Sequence, residues 1–183
     1  MSDAHRRQKN PERVRTQLIE AAISHAHLHG LPAISVEMIA SAAGVTRGAI
    51  FHHFPNKRAL IDAVFAEILT GFAADLAAEM AKDPEPYGRF TRAYLELAIR
   101  AYDDVTGGAL WKSALLDPAL TERWRHWLID EIEAQPPSEK GLSLEVVRFA
   151  AEGLWLGAAM GVAPRDREAL RTRLLAMTLE RTP

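Results

Sequence analysis

Residues 39–54 restrict the fold more than any other part of this chain. They read Ile39-Ala40-Ser41-Ala42-Ala43-Gly44-Val45-Thr46-Arg47-Gly48-Ala49-Ile50-Phe51-His52-His53-Phe54. The pattern is a short helix, a turn and a second short helix. Gly44 stands where the chain reverses, and glycine takes a positive φ without steric cost. Thr46 is placed to cap the second helix through its hydroxyl. Ile39, Val45, Ile50 and Phe54 form the apolar side, and Arg47, Phe51 and His52 face outward. A pair of this kind can push a helix end into the major groove of DNA.

The surrounding residues extend the pattern. Leu18, Ala21-Ala22, Gly30, Ser35-Val36, Ile39-Ala40, Ala43-Gly44-Val45, Gly48, Ile50 through Phe54, Lys57, Leu60 and Val64 occur in order over one segment. In these positions residues 13–65 resemble the DNA-binding domain of the tetracycline-repressor (TetR/AcrR-like) family of transcription regulators. The resemblance covers about the first third of the chain. Beyond it, only length and helical character fit the family. The resemblance implies an all-α fold, with three helices for DNA and six for a ligand-binding and dimerisation body. Residues 1–56 are expected to be the helix-turn-helix domain, with helices near 11–29, 35–43 and 46–53, and residues 57–183 the body.

Charge is divided in the same place. Net charge is −2, yet residues 1–58 hold eight Lys/Arg against four Asp/Glu, and the remainder fourteen against twenty. Six of the seven histidines also lie in the first segment. A local positive field suits a reading head for a polyanion, although an excess of this size also arises by chance. With no cysteine, disulfides and thiol chemistry are excluded, as expected for a reducing cytoplasm. Met1 to Arg7 show no secretory apolar run. The run from Val146 to Ala163 contains Arg148 and Glu152 and is too short for a bilayer span of about 20 residues.

Helical periodicity dominates throughout. Asn10-Pro11 starts helix 1, with Val14, Leu18, Ala22 and Ala26 inward, and Gly30 stops it. Helix 4 is expected from Lys57 to about Lys82, with Ile61, Val64, Phe65, Ile68, Phe72, Leu76 and Met80 along one face. At 1.5 Å per residue it would be roughly 38 Å long, enough to reach from head to body. Helix 5 is expected to run to about Val105, with Gly107-Gly108 as a break. A sixth helix holds Leu110, Trp111, Leu115 and Leu116. Asp117-Pro118 opens helix 7, whose inner residues are Leu120, Trp124, Trp127 and Leu128. Ser143 is expected to cap helix 8, and Pro164 to open helix 9.

Within the head, most affinity for DNA comes from phosphates and sequence is read at base edges. Arg47 is the first candidate for a base contact through guanine O6 and N7. Its exposure equally suits a phosphate contact. The resemblance places His52 at a DNA-contacting position and Lys57 at a phosphate anchor. Gly48 is expected to let the backbone approach DNA. Phe51 stands where the family usually has tyrosine, so the hydroxyl contact to phosphate is missing while the ring can still pack on sugar or a thymine methyl. His53 suits a structural or phosphate role. Ser35 and Thr46 combine capping with possible phosphate contacts. The run His5-Arg6-Arg7-Gln8-Lys9 has the composition of a minor-groove arm and equally that of a tail. His25 and His29 are four apart on one helix, but no third metal ligand follows, so neither a metal nor a cofactor is expected.

The body is rich in large flat side chains: Phe90, Tyr94, Tyr102, Trp111, Trp124, Trp127, Phe149 and Trp155. Each fits a helical core. The resemblance implies that some line a cavity among helices 5 to 8, with Glu152 as the polar group expected to be buried. Gly153, Gly157 and Gly161 make a stripe without side chains on helix 8. The resemblance pairs that stripe with Leu170, Leu174 and Met177 of helix 9 in a homodimer interface, and close packing within one subunit is the alternative. The implied function is a ligand-responsive regulator, a repressor in the usual family mode. It would bind a near-palindromic operator of double-stranded DNA as a dimer and be released by a small apolar or amphipathic effector. The alternative is a DNA-bound adaptor whose body contacts a protein. No nucleophile–base pair, phosphate loop or metal set points to an enzyme, and no membrane partner is expected.

Overall fold

The computed structural model describes residues 11–103 and 108–179, with the side chain of Asp103 excepted. Asn10, the basic run 5–9 and Gly107 lie outside these residues. Among the described residues there are nine α-helices: α1 (Pro11–His29), α2 (Val36–Ala42), α3 (Arg47–His53), α4 (Lys57–Met80), α5 (Arg89–Asp103), α6 (Gly108–Leu115), α7 (Pro118–Glu133), α8 (Leu142–Met160) and α9 (Arg167–Met177). The all-α architecture follows the expectation from sequence. None of these helices is long and apolar enough to cross a membrane.

Side-chain caps determine where most of the helices begin. The hydroxyl of Ser35 accepts from Met38 N at 3.2 Å and that of Thr46 from Ala49 N at 3.3 Å. Asn56 accepts from Ala59 N at 2.8 Å, and Asp166 from Ala169 N at 2.9 Å. Asp117 accepts from both Ala119 N and Leu120 N. Each such bond satisfies an amide that the helix itself leaves unpaired.

Two starts differ from the sequence expectation. Helix α8 begins at Leu142 after Gly141, not at Ser143, because Gly141 already holds extended backbone against the first turn. Helix α9 begins at Arg167, because the acceptor that reaches its amides is Asp166 and not Pro164. Leu116 also departs from expectation: it falls after the end of α6 and is 84% exposed.

The core has two parts. The first joins Leu18, Ala22 and Ala26 of α1, Ile39 of α2, Ile50 and Phe54 around α3, and Leu60, Val64 and Phe65 of α4. It continues into the body through Leu110, Ala114 and Leu120, so α6 packs directly on the head and α7 on α4. The second part joins Leu76 of α4 with Phe90, Tyr94 and Leu97 of α5, Val147, Ala151 and Leu154 of α8, and Leu174 of α9. Helix α4 therefore belongs to both.

A buried polar network closes the far end of the second part. Glu139 accepts from Phe90 N at 3.0 Å and from the Thr91 hydroxyl at 3.0 Å. Arg148 donates to Thr91 Oγ1 at 2.8 Å and to the carbonyl of Glu139 at 2.9 Å. Burial pushes the Arg148 guanidinium pKa down, against the charges of Glu139 and Glu145. This pairing is what allows a charge to sit inside α8.

Candidate nucleic-acid interface and effector cavity

The head presents α3 outward. Ile50 and Phe54 turn into the core, which leaves Thr46, Arg47, Gly48, Phe51 and His52 exposed along the other side. Gly44 has φ 65, the left-handed conformation that sets α2 against α3. A Cβ at Gly48 would meet nothing closer than Thr46 Oγ1 at 3.9 Å, so the surface there is open. Arg47 is tied to Glu37 at 3.0 Å and lies 5.6 Å from the Phe51 ring centroid. His52 is exposed and His53 half-buried between His52 and Phe54. Ser35 is half-buried at the start of α2.

Lys57 is exposed, and its ammonium donates to the carbonyl of Pro32 at 2.7 Å. This bond holds it beside the α4 N-terminus, where the helix dipole favours anions. The rings of His25 and His29 lie tilted against each other at 4.5 Å, with the Nε2 of His25 buried. Among the described residues no group of three metal-ligating side chains occurs.

In the body a cavity of about 230 Å³ opens among α4 to α8. Six aromatic residues line it: Phe72, Tyr94, Tyr102, Trp111, Trp124 and Trp155. Alanines of α5 and α8 and Lys112 of α6 complete the wall. Trp111 packs edge on face against Trp124 with centroids at 5.2 Å, and Trp124 and Trp127 lie tilted by 34° at 5.1 Å. The Tyr94 hydroxyl donates to the carboxylate of the half-buried Glu152. Burial, then the Glu152 charge, then that hydrogen bond push the Tyr94 phenol pKa far above its ordinary value.

Three of the aromatic side chains expected in the cavity stand elsewhere. Phe90 is stacked behind Tyr94 in the core, and Trp127 packs on Phe72 outside the cavity wall. Phe149 is 71% exposed on the opposite side of α8. Phe72 and Lys112 join the wall beyond the residues expected from sequence. Phe72 lies on the inner face of α4 that its spacing predicts, and spacing alone does not separate cavity from core.

The stripe expected at a dimer interface also divides. Gly153 lies on open surface, with nothing within 4 Å of a Cβ placed there. Gly157 instead sits under its own chain, since a Cβ would come 3.0 Å from the carbonyl of Val162. Gly161 has φ 75 and ends α8 in a left-handed cap. Leu174 is buried in the second core, and Leu170 and Met177 pack half-buried on the same cluster. The reversal at Gly161 turns that face of α9 onto its own bundle.

The exposed apolar residues of α8 are instead Leu142, Val146, Phe149, Leu156 and Met160. With Gly153 they recur at alternating spacings of four and three, the register of a helix–helix seam.

Residues 18–64 match the family model described as bacterial regulatory proteins of the tetR family. Residues 88–179 match the tetracyclin repressor-like C-terminal domain. The HTH-type transcriptional regulator BetI of Pseudomonas paraeruginosa is 31% identical over 176 residues, covering 85% of this chain and 87% of the relative. BetI of Burkholderia cenocepacia is 28% identical over 174 residues, covering 85% and 87%. Among solved structures, the transcriptional regulator SCO7518 from Streptomyces coelicolor A3(2) superposes with a TM-score of 0.70 at 18% identity, covering 92% of this chain and 99% of that one. The multidrug binding protein EbrR, complexed with imidazole, superposes with a TM-score of 0.64 at 25% identity, covering 92% and 90%. BetI and SCO7518 are described as transcriptional regulators and EbrR as a multidrug binding protein.

Proposed function

The chain belongs to the TetR family of bacterial transcription regulators, and on that footing we propose that it is a ligand-responsive repressor acting in the cytoplasm. Residues 1–56 are the reading head and 57–183 the body. Two copies bind the two halves of a near-palindromic operator, each laying α3 along the major groove. The observation that carries this reading is the outward face of α3, where Arg47, Gly48, Phe51 and His52 stand exposed while the opposite face is buried. Arg47 and His52 read bases. Lys57, Ser35, Thr46 and His53 lie toward phosphates, and Phe51 packs on sugar or a thymine methyl.

The effector occupies the aromatic cavity. EbrR, a structural relative, is described as a multidrug binding protein, which supports a flat, largely apolar effector here. The cavity favours this reading over a DNA-bound adaptor, which would need a docking surface and no internal space. Helix α6 supplies Trp111 and Lys112 to the cavity and Ser113 to the head. A ligand that shifts α6 therefore reaches the head directly, as well as through α4. By linkage, effector and operator weaken each other by the same factor.

The second copy covers the exposed α8 seam around Phe149, alongside the small exposed residues Ala169, Thr172 and Ala176 of α9.

Gel-shift binding to the DNA flanking the protein's own gene tests the reading. Binding that is lost in Arg47→Ala, with helicity retained, supports it. Wild-type protein that shifts no duplex at low salt would refute it.

A further inference from the structure

Glu37 and Arg47 form an ion pair that joins the two helices of the reading head. Glu37 stands in the first turn of α2 and Arg47 at the first position of α3, with Nη1 3.0 Å from Oε1. Their side chains are 59% and 66% exposed. The guanidinium carbon also lies 5.6 Å from the ring centroid of Phe51, one turn further along α3. The arginine is thus held by a carboxylate at its edge and an aromatic ring beside it.

An exposed pair of this kind adds little to stability. A carboxylate on a surface that meets phosphates also weakens binding to any duplex. The pair therefore acts on what the arginine touches. A guanidinium carries five donors in a rigid fork, so an edge remains for a second partner when Glu37 holds one. Guanine O6 and N7 fit that fork in the major groove. A loose arginine turns instead to the nearest phosphate, a contact that carries no sequence information.

Resting on the reading of α3 as the recognition helix, we propose that Glu37 is a positioning residue for sequence reading. It fixes the Arg47 fork for guanine, lowering affinity for DNA in general and raising discrimination.

Operator duplexes are recovered from a randomised pool by selection with the full-length protein. Affinities for the recovered duplex and a scrambled duplex of equal composition are then measured across a salt series. The proteins compared are wild type, Glu37→Ala, Glu37→Gln, Arg47→Ala and the Glu37→Ala/Arg47→Ala double variant. Both side chains are exposed, so equal thermal midpoints are expected.

Glu37→Ala is expected to bind the scrambled duplex several-fold tighter, with a salt slope steeper by about one as Arg47 gains a phosphate. Its operator-to-scrambled ratio should fall about tenfold or more. Glu37→Gln keeps an acceptor oxygen and should restore part of the ratio. In the Arg47→Ala background, removing Glu37 should leave the ratio unchanged. If Glu37→Ala keeps the wild-type ratio while Arg47→Ala lowers it, Glu37 merely repels phosphate and the proposal is overturned alone. If Arg47→Ala also keeps the ratio, Arg47 reads no base and both readings of it fall. If the pool yields no enriched duplex, the sequence-reading function itself fails.

Discussion

The backbone N–H of Leu31 donates to the hydroxyl of Ser113 at 2.9 Å, across the junction between the reading head and α6. The same hydroxyl donates to Leu110 O at 2.7 Å, so it fits the turn of α6 while holding the head. Ser113→Ala leaves the Leu31 amide without that partner. The expected cost is roughly 1–2 kcal/mol in chemical denaturation. Amide exchange at Leu31 should accelerate while exchange in the α5 core keeps its protection. Unchanged exchange at Leu31 would remove α6 from the path between cavity and head.

Tyr94 contributes to the loss of stability at alkaline pH. Its folded pKa is raised by burial and by Glu152, whereas an unfolded phenol ionises near 10.0. Above that pH the unfolded chain binds one proton fewer, so stability is lost as pH rises past about 10. Tyr94→Phe should remove this contribution and flatten the decline measured by denaturation at high pH. While the protein is folded, phenolate absorbance should rise equally in wild type and variant. A smaller rise in the variant would mean that Tyr94 ionises in the native state.

Lys57 and His52 should separate phosphate from base contacts. Lys57→Ala is expected to weaken binding to operator and scrambled duplex alike and to lower the salt slope by about one. His52→Ala should weaken the operator complex by about tenfold with little effect on scrambled DNA. The ratio of the two affinities, measured across salt, distinguishes these outcomes.

Phe149 tests the subunit seam. It is 71% exposed on the isolated chain, so Phe149→Asp should fold with full helicity. Sedimentation should show a monomer, and operator binding should fall more than a hundredfold as one half-site replaces two. Leu174→Asp should instead lower the thermal midpoint sharply, because Leu174 is 4% exposed within its own core. A dimeric Phe149→Asp protein would move the interface elsewhere.

The reading head was legible because its signals are local. Ser35, Gly44 and Thr46 each act within three or four residues, and each does so in the structure. The subunit seam was not, because Gly153, Gly157 and Gly161 look alike in sequence while their surroundings differ. One lies on open surface, one lies beneath Val162 and one turns the chain. The cavity wall was half legible. Trp124 and Trp127 both face inward at helical spacing and both pack on Phe72, yet only Trp124 borders the open space. No local pattern marks Glu139, because its partners Phe90 and Thr91 lie nearly fifty residues away.

All four tryptophans of the chain stand in one cluster around the cavity, and three of them form its wall. Indole emission depends on the polarity around the ring and on energy passed between neighbouring rings. An occupant that slides between them changes both at once. The protein therefore carries its own optical reporter: a compound library can be titrated against unlabelled protein, and the first compound to quench or shift the emission identifies a candidate effector before any operator is known.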